Sequence, residues 1–264
     1  MVDVHCHLNF KAFDQDLDEV IKGAFDAGVT KIINVGADLN SSKKAIELAE
    51  KYEEFYATVG IHPHHTDKLE TDWEERLEEL GKHPKVVAIG ECGMDFYNYA
   101  SNGIADEKLQ EELFVKQIEL SSRLKLPLMI HNRHAGQKIL EILINHKSYL
   151  LNPPGMFHCI SGDIELLKSA LKMGFYIGFD GNITYKGVAK GETTPLSTLV
   201  RETPIDKILT ETDSPYLTPI PFRGQKNKPE YVIIVGREIA KIKNIPFKEV
   251  QEKTTRNTDL LFKL

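Results

Sequence analysis

Val86-Val87-Ala88-Ile89-Gly90-Glu91 is a short apolar run that stops at a carboxylate. A carboxylate set directly after a buried run is costly unless it is paired or bound to a metal. The pattern returns along the chain. Val2–His5 leads into His7, Leu128–His131 and Gly155–His158 each end on a histidine, and Ile208–Thr210 runs into Glu211-Thr212-Asp213. Lys31–Val35, Tyr56–Gly60 and Phe175–Phe179 bring the strand candidates to eight. Helix candidates alternate with them. Asp16–Asp26 puts Leu17, Val20, Ile21 and Ala24 on one face, and Ser41–Lys51 opens with serines suited to N-capping. Asp106–Leu124, Ala135–His146, Asp163–Met173, Pro229–Lys241 and a stretch from Pro246 to Phe262 follow, while Trp73 with Glu74, Glu75, Leu77 and Leu80 reads as an amphipathic surface helix. Alternation of this kind builds βα units around a parallel sheet. The expected fold class is α/β, a single (β/α)8 TIM barrel forming one domain over residues 1–264. That length suits a barrel, which typically needs roughly 250 residues. The competing open doubly wound sheet would be favoured by a G-x-G-x-x-G after the first strand, and the sequence has none.

Bulk composition narrows the function classes. Apolar residues make up 41% and charged residues 27%, an ordinary globular balance. A net charge of −6 argues against a protein that coats nucleic acid by electrostatics, because such proteins are usually basic. It leaves room for a nuclease whose positive charge comes from metal ions. Cys6, Cys92 and Cys159 are an odd, widely spaced set without CxxC, which suits a reducing cytoplasm better than a disulfide framework. The N-terminus carries no secretory pattern, and no apolar run approaches the roughly 20 residues of a membrane span, so a cytoplasmic location is expected.

Ligand-type residues at several strand ends carry the chemistry. His5 and His7 share one face of an extended strand and Cys6 faces the other way. In a barrel the C-terminal strand ends meet at one mouth, so His5, His7, Glu91, His131, His158 and Asp213 would gather there. Four imidazoles and two carboxylates suit two divalent cations, with Glu91 as the candidate bridge. Asp213 is the candidate to ligate and to accept a proton from water. Mg²⁺, Mn²⁺ and Zn²⁺ are all compatible with such ligands, as is Fe²⁺. Around them, His62, His64, Arg133, Tyr216, Arg223 and Lys226 are candidate contacts for an anionic substrate, Arg133 through its planar fork. Glu211 is either a supporting partner near the metals or a further contact at the mouth. Alternation aims Cys6 and Cys159 away from the metal side, so inert packing is expected of them.

Six segments, in order along the chain, together resemble the TatD family of metal-dependent deoxyribonucleases. They are Asp3–Leu8, Gly60–His64, Gly90–Tyr97, Pro127–Arg133, His158–Gly162 and Glu211–Leu217, with Arg223–Asn227 and Pro229 beyond them. The resemblance implies a (β/α)8 barrel, divalent-metal-dependent DNase activity that is often exonucleolytic, and ligands at the six positions above. Cys92, Met94 and Ile160 depart mildly from the family pattern. The resulting expectation is hydrolysis of DNA phosphodiesters, as a 3′-5′ exonuclease on single strands or 3′ ends, with no membrane and no obligate protein partner. A carboxylic ester or amide hydrolase, acting for example on an aminoacyl-tRNA ester, is the alternative. A non-catalytic metal-binding scaffold is the third reading.

Overall fold

The structure, a computed structural model, describes residues 1–99, 103, 105–189 and 191–264. Eight parallel strands run in sequence order around one sheet: β1 (Val2–Cys6), β2 (Lys31–Val35), β3 (Phe55–Val59), β4 (Val86–Asp95), β5 (Leu128–Arg133), β6 (Gly155–Phe157), β7 (Tyr176–Phe179) and β8 (Ile208–Thr210). The intervening helices are α1 (Leu17–Asp26), α2 (Leu39–Lys51), α3 (Trp73–Gly81), α4 (Glu107–Leu124), α5 (Gly136–Asn145), α6 (Ile164–Lys172) and α7 (Leu196–Glu202), followed by α8 (Val232–Lys243) and α9 (Phe247–Phe262). This is the expected (β/α)8 barrel.

Strand alternation sorts the core into two layers. Ile33, Val35, Val87, Met129, Met156 and Leu209 pack together inside the barrel, where Leu261 and Phe262 of α9 join them. Their alternates, such as Ile32, Ile89, Leu128, Ile130 and Phe157, pack outward against the helices. Register shifts break this rhythm between Asp3 and Cys6 and between Ile89 and Cys92. A bulge of this kind re-aims the side chains that follow it, here the ligand-type residues.

The seam between β8 and β1 is closed by a carboxylate. Asp3 is fully buried and accepts from the Thr212 backbone N–H (2.9 Å) and hydroxyl (2.7 Å). Asp213 N–H then donates to the His5 carbonyl, and His7 N–H to that of Ser214, both at 2.8 Å. His5 of β1, His7 just beyond it and a carboxylate after β8 are thereby locked side by side.

Helix starts follow local chemistry. Asp38 caps α2 in a reciprocal box with Ser41, so the helix opens at Leu39 rather than at the serines. Asp106 and Asp163 cap α4 and α6 from one residue outside each helix. The sequence reading missed α7, whose seven residues span fewer than two turns and give little periodicity to see. The stretch read as a helix from Pro229 begins with a 3-10 turn, and α8 proper starts at Val232. Among the described residues, no helix is long and apolar enough to cross a membrane.

Candidate metal centre

The barrel brings the six expected ligand residues into one cluster. Glu91, 4% exposed at the end of the apolar run of β4, sits at its middle with its two oxygens facing opposite ways. Oε2 lies 3.7 Å from Nε2 of both His5 and His7. Oε1 lies 2.8 Å from His131 Nδ1 and 3.6 Å from His158 Nε2. Asp213 Oδ1 completes the first side, 3.6 Å from His5 Nε2 and 3.5 Å from His7 Nε2. His5, His7 and Asp213 thus form one group that can hold a cation, and Glu91, His131 and His158 form another.

Groups behind several of the rings orient the imidazoles, as metal-binding histidines require. His7 Nδ1 donates to the Val35 carbonyl (3.1 Å), which leaves the Nε2 lone pair facing the cluster. His158 Nδ1 faces Glu211 Oε1 at 3.3 Å, and His131 Nε2 faces Asp95 Oδ2 at 3.1 Å. His5 Nε2 and His7 Nε2 approach to 3.1 Å. Nothing behind His5 fixes its tautomer, so its Nε2–H can donate to the His7 Nε2 lone pair, and a cation would take the place of that hydrogen. His5 Nδ1 is also buried with no hydrogen-bond partner. Aimed lone pairs, orphaned nitrogen and clustered carboxylates together fit divalent cations.

Electrostatics within the cluster are strongly coupled. Burial pushes Glu91 up, but the imidazoles around it outweigh that and hold its carboxyl well below the usual range. Burial, helped by the imidazoles of His158, His7 and His131, lowers His5 well below its ordinary value against the pull of Glu91. For His158, burial opposes the charged form, yet Glu211 prevails and holds it up at about 10. For His131, hydrogen bonds to Asp95 and Glu91 likewise overcome burial and hold it at about 9. The carboxylates therefore recruit positive charge to this mouth.

The expected substrate contacts divide. His62 accepts the His64 N–H at Nδ1 (3.2 Å), so its Nε2 carries the hydrogen, 3.8 Å from Glu91 Oε1. Burial pushes His62 down to about 3, leaving a neutral donor at the cluster's edge. Arg133 is exposed beside His131, stacked 4.1 Å from the Tyr97 ring and donating to Tyr99 Oη. Tyr216 stands at the rim, 55% exposed, edge-on to His7. Arg223 lines the groove that opens from the cluster. His64 points to Asp95 (3.4 Å) rather than to open space.

Two expectations are corrected. Lys226 is clamped on both Asp16 oxygens (2.6 and 2.9 Å) and on the Ala12 carbonyl, so it pins a loop instead of facing substrate. Glu211 is fully buried behind His158, where it also accepts from Cys159 N–H, and is no substrate contact. Cys159 also departs from expectation: it lines the groove, although burial pushes its thiol well above the ordinary value and leaves it inert. Cys6 is buried as expected, and Cys92 is buried too. Asp95 went unassigned in the sequence. It is fully buried at the end of β4 and gathers His131, Tyr99 Oη and the Tyr97 N–H. A charged residue closing a strand already known to carry a ligand was the available signal.

Comparison with known proteins agrees with this geometry. The family described as TatD related DNase matches residues 2–263. The uncharacterized metal-dependent hydrolase YabD of Bacillus subtilis is 38% identical over 266 residues, covering 100% of this chain and 99% of that protein. The 3′-5′ ssDNA/RNA exonuclease TatD of Escherichia coli is 34% identical over 248 residues, covering 91% and 90%. The crystal structure of YjjV, a TatD homolog from Escherichia coli, superposes with a TM-score of 0.89 at 28% identity, covering 100% of this chain and 98% of that one.

Proposed function

This chain belongs to the TatD-related DNase family and is a metal-dependent hydrolase that cleaves DNA; we propose that it does so as a 3′-5′ exonuclease on single strands, with two divalent cations held by His5, His7, Glu91, His131, His158 and Asp213. The observation that carries this reading is Glu91, which turns one oxygen toward the His5–His7–Asp213 side and the other toward His131 and His158. One carboxylate spanning two ligand groups is the arrangement of a bridge. Bound there, divalent cations supply Lewis acidity and acidify water.

The chain's own residues do the rest. Asp213, at the less buried edge of the cluster, is placed to accept the proton released by the attacking water. His62 Nε2–H, neutral and fixed in its tautomer, donates to a phosphate oxygen. Arg133, held by Tyr97 and Tyr99, offers its free edge to the same phosphate. Mg²⁺, Mn²⁺ and Zn²⁺ all suit this mixed imidazole and carboxylate set. The span 1–264 acts as one hydrolase domain in this reading. Nothing in the cluster favours a carboxylic ester or amide over a phosphodiester.

The test is release of mononucleotides from 3′-labelled and 5′-labelled single-stranded DNA with Mg²⁺ or Mn²⁺. The wild type should shorten the strand from its 3′ end, and Glu91→Ala and Asp213→Ala should each lower the rate at least 100-fold. Undiminished cleavage in either variant overturns the assignment of this centre.

A further inference from the structure

A groove of about 870 Å³ opens from His131, His158 and Asp213 and runs outward between the loops after β5, β6, β7 and β8, reaching Glu238 and Lys241 of α8. Pockets of roughly 300–1,000 Å³ seat a drug-sized ligand, so this space exceeds what one scissile phosphate needs. Its outer wall is built around Arg223. The guanidinium lies 3.9 Å from the centre of the Tyr185 ring, and Tyr185 Oη donates to the Thr218 carbonyl (2.8 Å), which fixes the ring that backs it. Arg223 and Lys186 are both exposed, and both line the groove. Among the described residues, neither cation has a carboxylate partner, in contrast to Lys226. Ser161, Thr184 and Ser197 line the same space. At the inner end Arg133 stacks on Tyr97 in the same manner.

We propose that this groove is a second nucleotide subsite, in which the base adjoining the scissile nucleotide stacks on the Arg223 plane backed by Tyr185, and its phosphate meets Lys186. A guanidinium plane or an aromatic ring accepts any base face, so the subsite reads a strand without reading its sequence. The groove thereby adds affinity from the second nucleotide of the strand that the metal centre shortens. This rests on the DNA-hydrolase reading above.

Fluorescence anisotropy separates the two. Fluorescein-labelled oligothymidylates of one, two and four nucleotides are titrated with the full chain in EDTA. Affinity should rise at least tenfold from one nucleotide to two, as expected for one added stacked base. Arg223→Gln and Tyr185→Ala should erase that increment, Tyr185→Phe should keep it, and Lys186→Gln should lower the salt slope by about 0.7. An increment that survives in both Arg223→Gln and Tyr185→Ala overturns the subsite. The same oligonucleotides are then incubated with Mn²⁺ and wild-type protein. An increment without any product keeps the subsite and sinks the DNA-hydrolase reading. Degradation of the tetranucleotide, with the increment intact in both variants, does the reverse.

Discussion

Glu211 touches neither solvent nor the groove, yet it faces His158 Nδ1 at 3.3 Å and accepts the Cys159 N–H. Its work is to orient one imidazole, with Nε2 facing the cluster. Losing such a partner typically costs 10–100-fold in metal affinity. Glu211→Gln keeps the volume and removes the charge. It should therefore weaken metal binding by about that factor, read as a shift in the Mn²⁺ concentration that gives half-maximal rate, with kcat at saturating metal falling less. An unchanged metal requirement would show that Glu211 only fills space. Gly178 explains why the carboxylate fits. A Cβ at that position would sit 2.6–2.7 Å from the Glu211 carboxyl atoms. None of this was legible at residue scale in the sequence. A glutamate two residues before Asp213 could have faced the metals, the substrate or the core, and only the register of β7 against β8 decides among them.

The elements deliver these residues because each helix returns the chain to the barrel floor at a fixed point. At the start of α2, Asp38 accepts from Ser41 N–H (2.7 Å) while the Ser41 hydroxyl accepts from Asp38 N–H (2.9 Å). Burial pushes the Asp38 carboxyl up, but the hydrogen bonds from Ser41 outweigh it, and the net shift is downward. A carboxylate depressed in the folded state stabilises the fold at pH values above its unfolded pKa, about 3.9. That stabilisation fades as pH falls through the lower folded value. Asp38→Ala should thus cost about 1 kcal/mol at pH 7, measured by urea unfolding, with the gap to wild type closing below about pH 4. A pH-independent gap would mean that the cap acts without its charge. Helix existence was readable from apolar spacing, whereas this boundary shifted by two residues because the capping pair straddles it. Bulges in β1 and β4 were invisible for a related reason: an extra residue in a strand changes register without changing composition.

Across the whole molecule, the legible part of the sequence was the part repeated on separate strands. Eight apolar runs predicted the barrel, and their terminal histidines and acids predicted one cluster, because a closed sheet must bring strand ends together. Lys226 was misread since its partner, Asp16, lies 210 residues away, and a basic loop looks the same whether paired or free. The cluster also sets a global property. Asp3, Glu91, Asp95 and Glu211 are all buried at or near one end of the barrel, where Glu211 repels Asp3 and imidazoles offset the charge of Glu91 and Asp95. Cations that bind this end, and not the unfolded chain, stabilise by mass action, about 2.7–4.1 kcal/mol at 100–1,000 times the Kd. For a chain of this size that corresponds to a Tm rise of roughly 5–16 °C. Calorimetry with Mn²⁺ and then with excess EDTA should show that drop on chelation. Glu91→Gln, which removes the bridge and the charge that the imidazoles hold, should narrow the gap by lowering the Mn²⁺ Tm more than the EDTA Tm. If chelation left the wild-type Tm where it was, the carboxylates would have to be neutralised within the protein itself, by the imidazolium forms of His131 and His158, and the cluster would be an ion-pair network rather than a metal centre.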